Sequence, residues 1–183
     1  MSASPAVIIP SHSSVLESVA VAVSGGVSEG SDATPCPLVV ADASAALGAS
    51  SDAPIVFVGW HGDEEESRRL ASEILATLAR RPPRPVALFE TRLSESSGLA
   101  PSTPVPSPRE CPGLRFLGSP EQFMIRRDAP NHAADPNELA RARQWAARVY
   151  RRWRSNPHEP PSAVARRSEP ASANWSGWCG AFE

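Results

Sequence analysis

The strongest constraint on the fold is a buried strand pattern that runs directly into an amphipathic helix pattern. The run PIVFVG, residues 54–59, is apolar on both faces, which is typical of a central strand in a parallel sheet. Residues 63–81, DEEESRRLASEILATLARR, begin with acids and end with arginines, as the helix dipole favours. Apolar positions recur there at helical spacing, at Leu70, Ile74 and Leu78. This strand and this helix predict an α/β domain.

Four further apolar runs have the length of strands: residues 6–9, 37–42, 85–91 and 114–118. A helix is predicted after the first run, with Ser13 or Ser14 as its cap and Gly25-Gly26 as its stop. The apolar positions of this helix are Leu16, Val19, Ala20, Val23 and Val27. Strands that alternate with helices predict a mainly parallel sheet.

A third helix is predicted over residues 135–153, DPNELARARQWAARVYRRW. Asp135 is its expected cap, Pro136 takes the first helical position, and Glu138 is expected to complete a capping box. Asp63 is the expected cap of the second helix. The expected buried stripe of the third helix is Leu139, Ala142, Ala146, Val149 and Trp153.

Composition defines the expected domain and its surroundings. Residues 1–154 are predicted to form one domain, with a Ser- and Pro-rich loop or insertion at 94–112 and a disordered tail at 155–183. A net charge of −2 gives no indication of nucleic-acid or acidic-membrane binding. The three cysteines are far apart and form no CxxC pair, which favours a reducing compartment. With no signal-peptide pattern and no long apolar run, we expect a cytoplasmic protein.

Ligands of parallel sheets bind beyond the carboxyl ends of the strands, so the residues after each strand are the candidate site. Those segments are 11–14, 59–63 and 90–94. The first, within PSHSSVLES, leads into a helix and supplies hydroxyl groups near free backbone N–H groups. That combination suits a phosphate, although a capped helix start rich in serine explains the same letters.

The order of these elements resembles flavodoxin, in which a hydroxyl-rich phosphate loop follows the first strand. The six residues in that place are Ser11, His12, Ser13, Ser14, Val15 and Leu16. Ser11 and Ser13 keep hydroxyl groups, whereas Ser14 and Leu16 replace a glycine and a threonine of the family pattern. The phosphate loop is therefore degenerate by comparison with the family.

The second half of the chain resembles a branch of small bacterial flavodoxin-like proteins in the segment APIVFVGWHGDEEES and in VALFET, residues 86–91. The resemblance implies a three-layer sandwich with a five-stranded parallel sheet of order 2-1-3-4-5. It also implies an FMN-binding electron-transfer protein or small flavin reductase, which would serve a redox partner protein or a small-molecule acceptor. Trp60 would then stack on the isoalloxazine ring. The other implied ring contacts are Gly59, His61, Gly62, Thr91 and Arg92.

Two alternatives stay open at this point. The letters HGDE also resemble the metal motif of the desuccinylase and aspartoacylase group, with His61 and Glu64 as zinc ligands and His132 or His158 as a third. A flavodoxin-like domain that has lost its cofactor and binds another protein is the other alternative. The departures from the family pattern at Ser14, Leu16 and Glu90 favour that second alternative.

Overall fold

The structure, a computed structural model, describes residues 4–10, 14–30, 35–93, 111, 113–126 and 134–157. The predicted tail beyond residue 157 and most of the predicted loop at 94–112 lie outside this described part. The strands are β1 (Ala6–Pro10), β2 (Pro37–Val40), β3 (Val56–His61), β4 (Arg84–Leu93), β5 (Leu114–Phe116) and β6 (Glu121–Ile125). The helices are α1 (Ser14–Ser28), α2 (Ala43–Ser50), α3 (Glu65–Leu78) and α4 (Pro136–Ser155).

All named strands belong to one parallel sheet, in the order β2-β1-β3-β4-β5. This confirms the predicted fold class and strand order. Strands β1 and β3 are neighbours, with Ala6 paired to Val56 and Ile8 to Val58. Between these two strands the chain passes through α1, β2 and α2, so the order along the chain and the order in the sheet differ.

The fifth position of the sheet is shared by two short strands. Strand β5 pairs with the start of β4, from Arg84 onward, and β6 pairs with its end, up to Leu93. The link between them contains Gly118 at φ +134°, a conformation that residues with a Cβ rarely adopt. The sequence predicted only the first of these strands, because β6 (EQFMI) is short and follows a proline.

Alternate residues of the strands pack on opposite faces of the sheet. One face carries Ile55, Phe57 and Phe89 and is covered by α1 and α4. The other carries Val56 and Val58 and is covered by α2 and α3. Both faces are apolar, as expected for a sheet with helices on each side. The helical core positions predicted in α1 and α3 are all buried.

Helix α1 does not stop at Gly25-Gly26 but continues to Ser28, so the predicted stop is wrong. A Cβ at Gly26 would overlap the carbonyl oxygen of Arg143 in α4, and would lie 3.1 Å from the Ala146 Cβ. The glycine therefore permits the close approach of two helices. A glycine pair is ambiguous in the sequence, because close packing and helix termination favour the same residue.

The helix starts follow the predictions in part. Asp135 accepts a hydrogen bond from the Asn137 N–H (2.7 Å) with a proline at the start of α4, as predicted. Glu138 does not complete a capping box, because its carboxylate accepts from the Met124 N–H (2.8 Å) in β6. Asp63 does not cap α3 either, because Glu64 occupies the cap position without a side-chain hydrogen bond.

An aromatic cluster holds α4 against the sheet. The ring of Trp145 lies 5.9 Å from Phe57, 6.2 Å from Phe89 and 5.9 Å from Phe123, each in an edge arrangement. Trp145 and Tyr150 were absent from the predicted stripe, although both are buried. Helix α2, capped by Asp42, was also missed because its sequence ASAALGAS has almost no amphipathic pattern.

None of the helices in the described part of the chain combines the length and hydrophobicity that crossing a membrane requires.

Candidate functional site at the carboxyl edge of the sheet

The N-terminus of α1 lies at the carboxyl end of β1, the second strand of the sheet. Ser11, His12 and Ser13 form the connection and lie outside the described residues. Ser14 is the first residue of the helix. Val15 and Leu16 are buried in the core beneath it, 5% and 0% exposed. Of these two predicted contacts, only the backbone N–H groups can therefore face a ligand.

Strands β3 and β4 end later than predicted, and this changes the setting of three predicted site residues. Strand β3 continues to His61 and β4 to Leu93, whereas the predicted strands ended at Gly59 and Thr91. As a result, Trp60, His61 and Arg92 also lie within strands and not in the loops that follow them. Their backbones are part of the β3–β4 and β4–β6 pairing.

The structure contradicts the predicted stacking role of Trp60. Its side chain is 2% exposed and belongs to the core cluster that α3 covers. The alternation of β3 explains this placement, because Trp60 shares a face with Val56 and Val58. Its Nε1–H is buried without a hydrogen-bond partner among the described residues. The faces of the ring are covered by protein, so no flat ligand reaches them in this arrangement.

Hydrogen bonds join the end of β3 and its following loop to the end of β4, including one from Thr91 Oγ1 to the Trp60 carbonyl (3.4 Å). The Gly62 N–H donates to the Thr91 carbonyl (2.8 Å), and the Asp63 carboxylate accepts from the Leu93 N–H (2.7 Å). His61 Nδ1 lies 2.9 Å from the same Thr91 carbonyl and 3.3 Å from Thr91 Oγ1. Since a carbonyl only accepts, Nδ1 of the half-buried ring is the donor in this contact, and Nε2 has no hydrogen-bond partner among the described residues.

These bonds engage backbone groups that were predicted to contact a flavin ring. The Gly62 N–H and the Thr91 carbonyl are bonded to each other. Asp63, exposed and predicted to cap α3, instead ties the following loop to β4. The His61 N–H donates to the Ser67 hydroxyl (2.9 Å), which fixes the first turn of α3 on the strand.

A buried ion pair lies on the α3 face of the same edge. Arg92 Nε donates to Glu90 Oε1 (2.8 Å), with side chains only 7% and 4% exposed. Gln122 of β6 donates to the other carboxylate oxygen of Glu90 (3.1 Å). A Cβ at Gly62 would overlap this carboxylate, so glycine is needed for the turn to pass over Glu90. Sequence reasoning counted Glu90 and Arg92 in the candidate site segment 90–94 and did not anticipate the pair.

Exposed acids at the start of α3 add negative charge to this edge. Glu64, Glu65 and Glu66 are all exposed. A hydrogen bond from Arg69 lowers the pKa of Glu66 below its ordinary value, so this carboxyl is ionised at neutral pH. Arg69 also pairs with Glu73 (2.5 Å), so one guanidinium holds two carboxylates of α3.

The zinc hypothesis is not supported by the described residues, which contain no group of three His, Cys, Asp or Glu side chains suited to a metal ion. His61 offers its Nε2, but its hypothesised partner Glu64 follows the strand on an exposed loop. Both hypothesised third ligands, His132 and His158, lie outside the described part of the chain. A complete metal site is therefore not formed by the residues that the structure places.

The described residues fit one end of an FMN molecule better than the other. The start of α1 presents free N–H groups and the positive end of a 15-residue helix, which suits a phosphate. The isoalloxazine end gains no stacking side chain from Trp60 and no free N–H from Gly62. His61 and the exposed residues of the β3–α3 loop are the side chains that remain at that end.

Comparison with solved structures shows a consistent architecture. Flavodoxin 2 from Bacillus cereus aligns with a TM-score of 0.57 at 15% identity, over 82% of this chain and 99% of that protein. A flavodoxin from the domain Archaea aligns with a TM-score of 0.54 at 15% identity, over 82% and 99%. The Flv1 flavodiiron core from Synechocystis sp. PCC6803 aligns with a TM-score of 0.60 at 12% identity, over 84% of this chain.

This chain spans only 36% of the length of the flavodiiron core but nearly all of the two flavodoxins. No protein-family model and no curated protein sequence matches it. The parallel sheet order, the helices on both faces and these alignments agree. The chain therefore has the flavodoxin-like α/β three-layer fold.

Proposed function

We propose that the carboxyl edge of the sheet binds FMN through its phosphate and that the protein acts in electron transfer. The observation that carries this proposal is the start of α1 at Ser14, four residues after β1 ends at Pro10. The three intervening residues, Ser11-His12-Ser13, include two hydroxyl side chains. A helix N-terminus directly beyond a parallel strand is a ready-made site for a phosphate group.

In this proposal each part of the first loop has a defined task. The backbone N–H groups of Ser14, Val15 and Leu16 donate to the phosphate oxygens, and the hydroxyl groups of Ser11 and Ser13 add further donors. The buried side chains of Val15 and Leu16 hold the first turn of the helix against the core. Rigid support lowers the entropy cost of arranging the donors around an anion.

Bound FMN would supply the redox chemistry, with the protein providing orientation and charge. Exposed carboxylates of Asp63, Glu64 and Glu65 place negative charge near the loop after β3. They would disfavour a negatively charged reduced flavin and would lower its reduction potential. The electron partner in this proposal is a redox protein or a small-molecule acceptor, and nucleic acid and membranes have no part in it.

A pair of titrations tests the phosphate contact. We expect FMN to bind more tightly than riboflavin, which lacks the phosphate, in a fluorescence titration. The Ser11→Ala/Ser13→Ala double variant should lose about 1–3 kcal/mol of FMN affinity while its riboflavin affinity stays the same. Ser155→Ala is the control, because Ser155 is exposed at the C-terminal end of α4. Equal affinities for the two flavins would remove the phosphate site from the proposal.

A cofactor-free protein-binding module is the second candidate, favoured by a separate observation. Trp60 is covered by core residues, and the groups of Gly62, Asp63 and Thr91 are bonded within the protein. The edge is therefore held together without a flavin ring. Absorption spectra separate the two candidates: purified protein mixed with FMN and desalted shows a flavin spectrum in the first case. If no flavin co-elutes and no binding is seen at micromolar concentrations, the cofactor-free protein-binding module is the candidate that remains.

A further inference from the structure

A cavity opens at the amino edge of the sheet, opposite the candidate flavin edge. Its volume is about 320 Å³, at the small end of the range for ligand pockets. It lies where β3 and β4 begin and where α4 ends. The lining residues are Pro54, Pro83, Arg84, Pro85, Arg115, Trp153 and Pro157.

Two arginines of the lining are held in place by carbonyl groups at helix ends. Arg84 Nη1 donates to the Ser50 carbonyl at the end of α2 (2.5 Å), and Arg84 Nη2 lies 3.5 Å from the Ser51 carbonyl. Arg115 Nη1 donates to the Pro157 carbonyl just beyond α4 (2.5 Å). A guanidinium has five N–H donors, so the contacts of Arg84 orient its group without using all of its donors. The two side chains are thus pre-organised at the wall of the cavity.

Among the described residues, the side chains around this cavity carry mainly positive charge. The lining contains two positive side chains and no carboxylate. Arg84 is half-buried, and the structure gives it no acidic partner within the described part of the chain. The last three turns of α4 add basic side chains and no acid, with Arg148, Arg151, Arg152 and Arg154 all exposed. A concave site next to such a surface attracts anions.

The other lining residues of the cavity are Trp153 and four prolines, which are largely apolar. The indole of Trp153 is half-buried, and its ring lies 5.5 Å from the Tyr150 ring at 44°. Tyr150 is itself buried in the core, so it fixes the position of the indole. Four prolines also line the cavity, and proline side chains lose little entropy when a ligand is packed against them. An aromatic face flanked by rigid prolines favours a planar ring as the apolar part of a ligand.

We propose that this cavity is a binding site for a small organic anion that carries a flat ring. Its carboxylate or phosphate group is bound by Arg84, since a guanidinium can form paired hydrogen bonds with either oxyanion, and Arg115 is a second cation in the lining. Its ring lies on Trp153. The site is separate from the proposed flavin site, because it is at the opposite edge of the sheet.

Four probes of related shape test this proposal by calorimetric or ligand-observed NMR titration of the full chain. Benzoate and phenyl phosphate carry the ring with each kind of anion. Benzamide carries the ring without charge, and inorganic phosphate carries the charge without a ring. We expect at least one ringed anion to bind more tightly than both benzamide and inorganic phosphate. Whichever of benzoate and phenyl phosphate binds more tightly shows whether the cavity prefers a carboxylate or a phosphate.

Variants then assign the binding to the cavity. Arg84→Gln should weaken binding of the preferred probe roughly 10- to 100-fold, the range for a hydrogen bond between charged groups. Arg148→Gln is the matched control, because Arg148 is an exposed arginine of α4 that does not line the cavity. Unchanged affinity in Arg84→Gln, or equal loss in both variants, would overturn the proposal.

Arg84 also supports the end of α2, so the Arg84→Gln variant needs a second measurement beside it. In the unaltered chain, the preferred probe should shift the indole N–H resonance of Trp153 and the backbone amide of Arg84. The Trp153→Phe variant identifies that indole resonance. Shifts confined to the first turn of α1 would show that the probe binds at the opposite edge, and the cavity would then be excluded as the site.

Discussion

Adjacent glycines in α1 allow the contact between α1 and α4 to be tested with two substitutions of the same kind. Gly25 and Gly26 both lie inside the helix, which continues to Ser28. At Gly26 a new Cβ would overlap the main-chain oxygen of Arg143 and crowd the Ala146 side chain. At Gly25 the nearest atom to a new Cβ is the Arg143 Nε at 3.8 Å, which is an ordinary contact with a flexible side chain.

The magnitudes follow from this geometry. Replacing an interior helical glycine by alanine stabilises a helix by about 0.5–1 kcal/mol, and this gain is common to both variants. Overpacking costs typically about 1–3 kcal/mol, and at Gly26 the obstacle is backbone that moves only if the two helices separate. We therefore expect Gly25→Ala to be more stable than the unaltered protein and Gly26→Ala to be less stable. The difference between the two variants isolates the steric cost, about 1–3 kcal/mol.

Urea unfolding followed by far-ultraviolet circular dichroism measures the free energy of unfolding of both variants and of the unaltered chain. At about 2–4 °C per kcal/mol for a domain of this size, thermal unfolding should separate the two variants by several degrees. The m-value should stay constant, since neither change alters the surface exposed on unfolding. If Gly26→Ala proved as stable as Gly25→Ala, the close approach of α1 to α4 at this point would be refuted.

Three further outcomes are expected from urea unfolding. Arg92→Ala should lower the free energy of unfolding by about 3–5 kcal/mol, because it removes the cation bonded to the buried Glu90 carboxylate. The double change Glu90→Gln/Arg92→Met should recover most of that loss, and similar losses in the two variants would contradict this account. Trp145→Ala should lower the free energy of unfolding by about 3–5 kcal/mol, because it opens a cavity among three phenylalanines. Trp145→Phe should lose clearly less. A loss under about 1 kcal/mol for Trp145→Ala would place the ring outside the core. A hydrogen bond from Arg141 lowers the pKa of Glu138 below its ordinary value, so the stability that this carboxylate contributes is present above the unfolded-state pKa and is lost as the pH falls through the folded-state pKa. Glu138→Gln should therefore flatten the acid limb of a stability–pH curve and cost no more than about 1 kcal/mol at pH 7, and an unchanged limb would refute the assignment.

Much of the fold could be predicted because periodic apolar patterns report directly on burial. The positions predicted in α1, from Leu16 to Val27, and in α3, from Leu70 to Leu78, are all buried. Both faces of β3 were expected to be apolar, and they pack against helices on opposite sides. Helix α2 and strand β6 carry no comparable pattern: one is short and rich in alanine and serine, and the other has five residues.

The candidate site was predicted less well, because its residues depend on where strands end. Trp60 and Arg92 were placed beyond the ends of their strands, but cross-strand pairing includes both of them in β3 and β4. An extension by two residues moves a side chain from a loop to a fixed face of the sheet. For Trp60 that face is the core under α3, which changes a predicted ligand contact into a packing residue.

The sequence by itself determined the alternation of strands and helices, the helical core positions and the cap at Asp135, because each depends on neighbours within a few residues. Only the tertiary structure decided the roles of Asp63, Glu138 and Gly26. Their partners are the Leu93 N–H, the Met124 N–H and the Arg143 carbonyl, which are 30, 14 and more than 100 positions away along the chain. The physical reason is that an acid near a helix start can accept a hydrogen bond from a local or a distant N–H group. Likewise, a glycine near a helix end can terminate the helix or permit close packing of another helix. Packing of the whole chain selects between them.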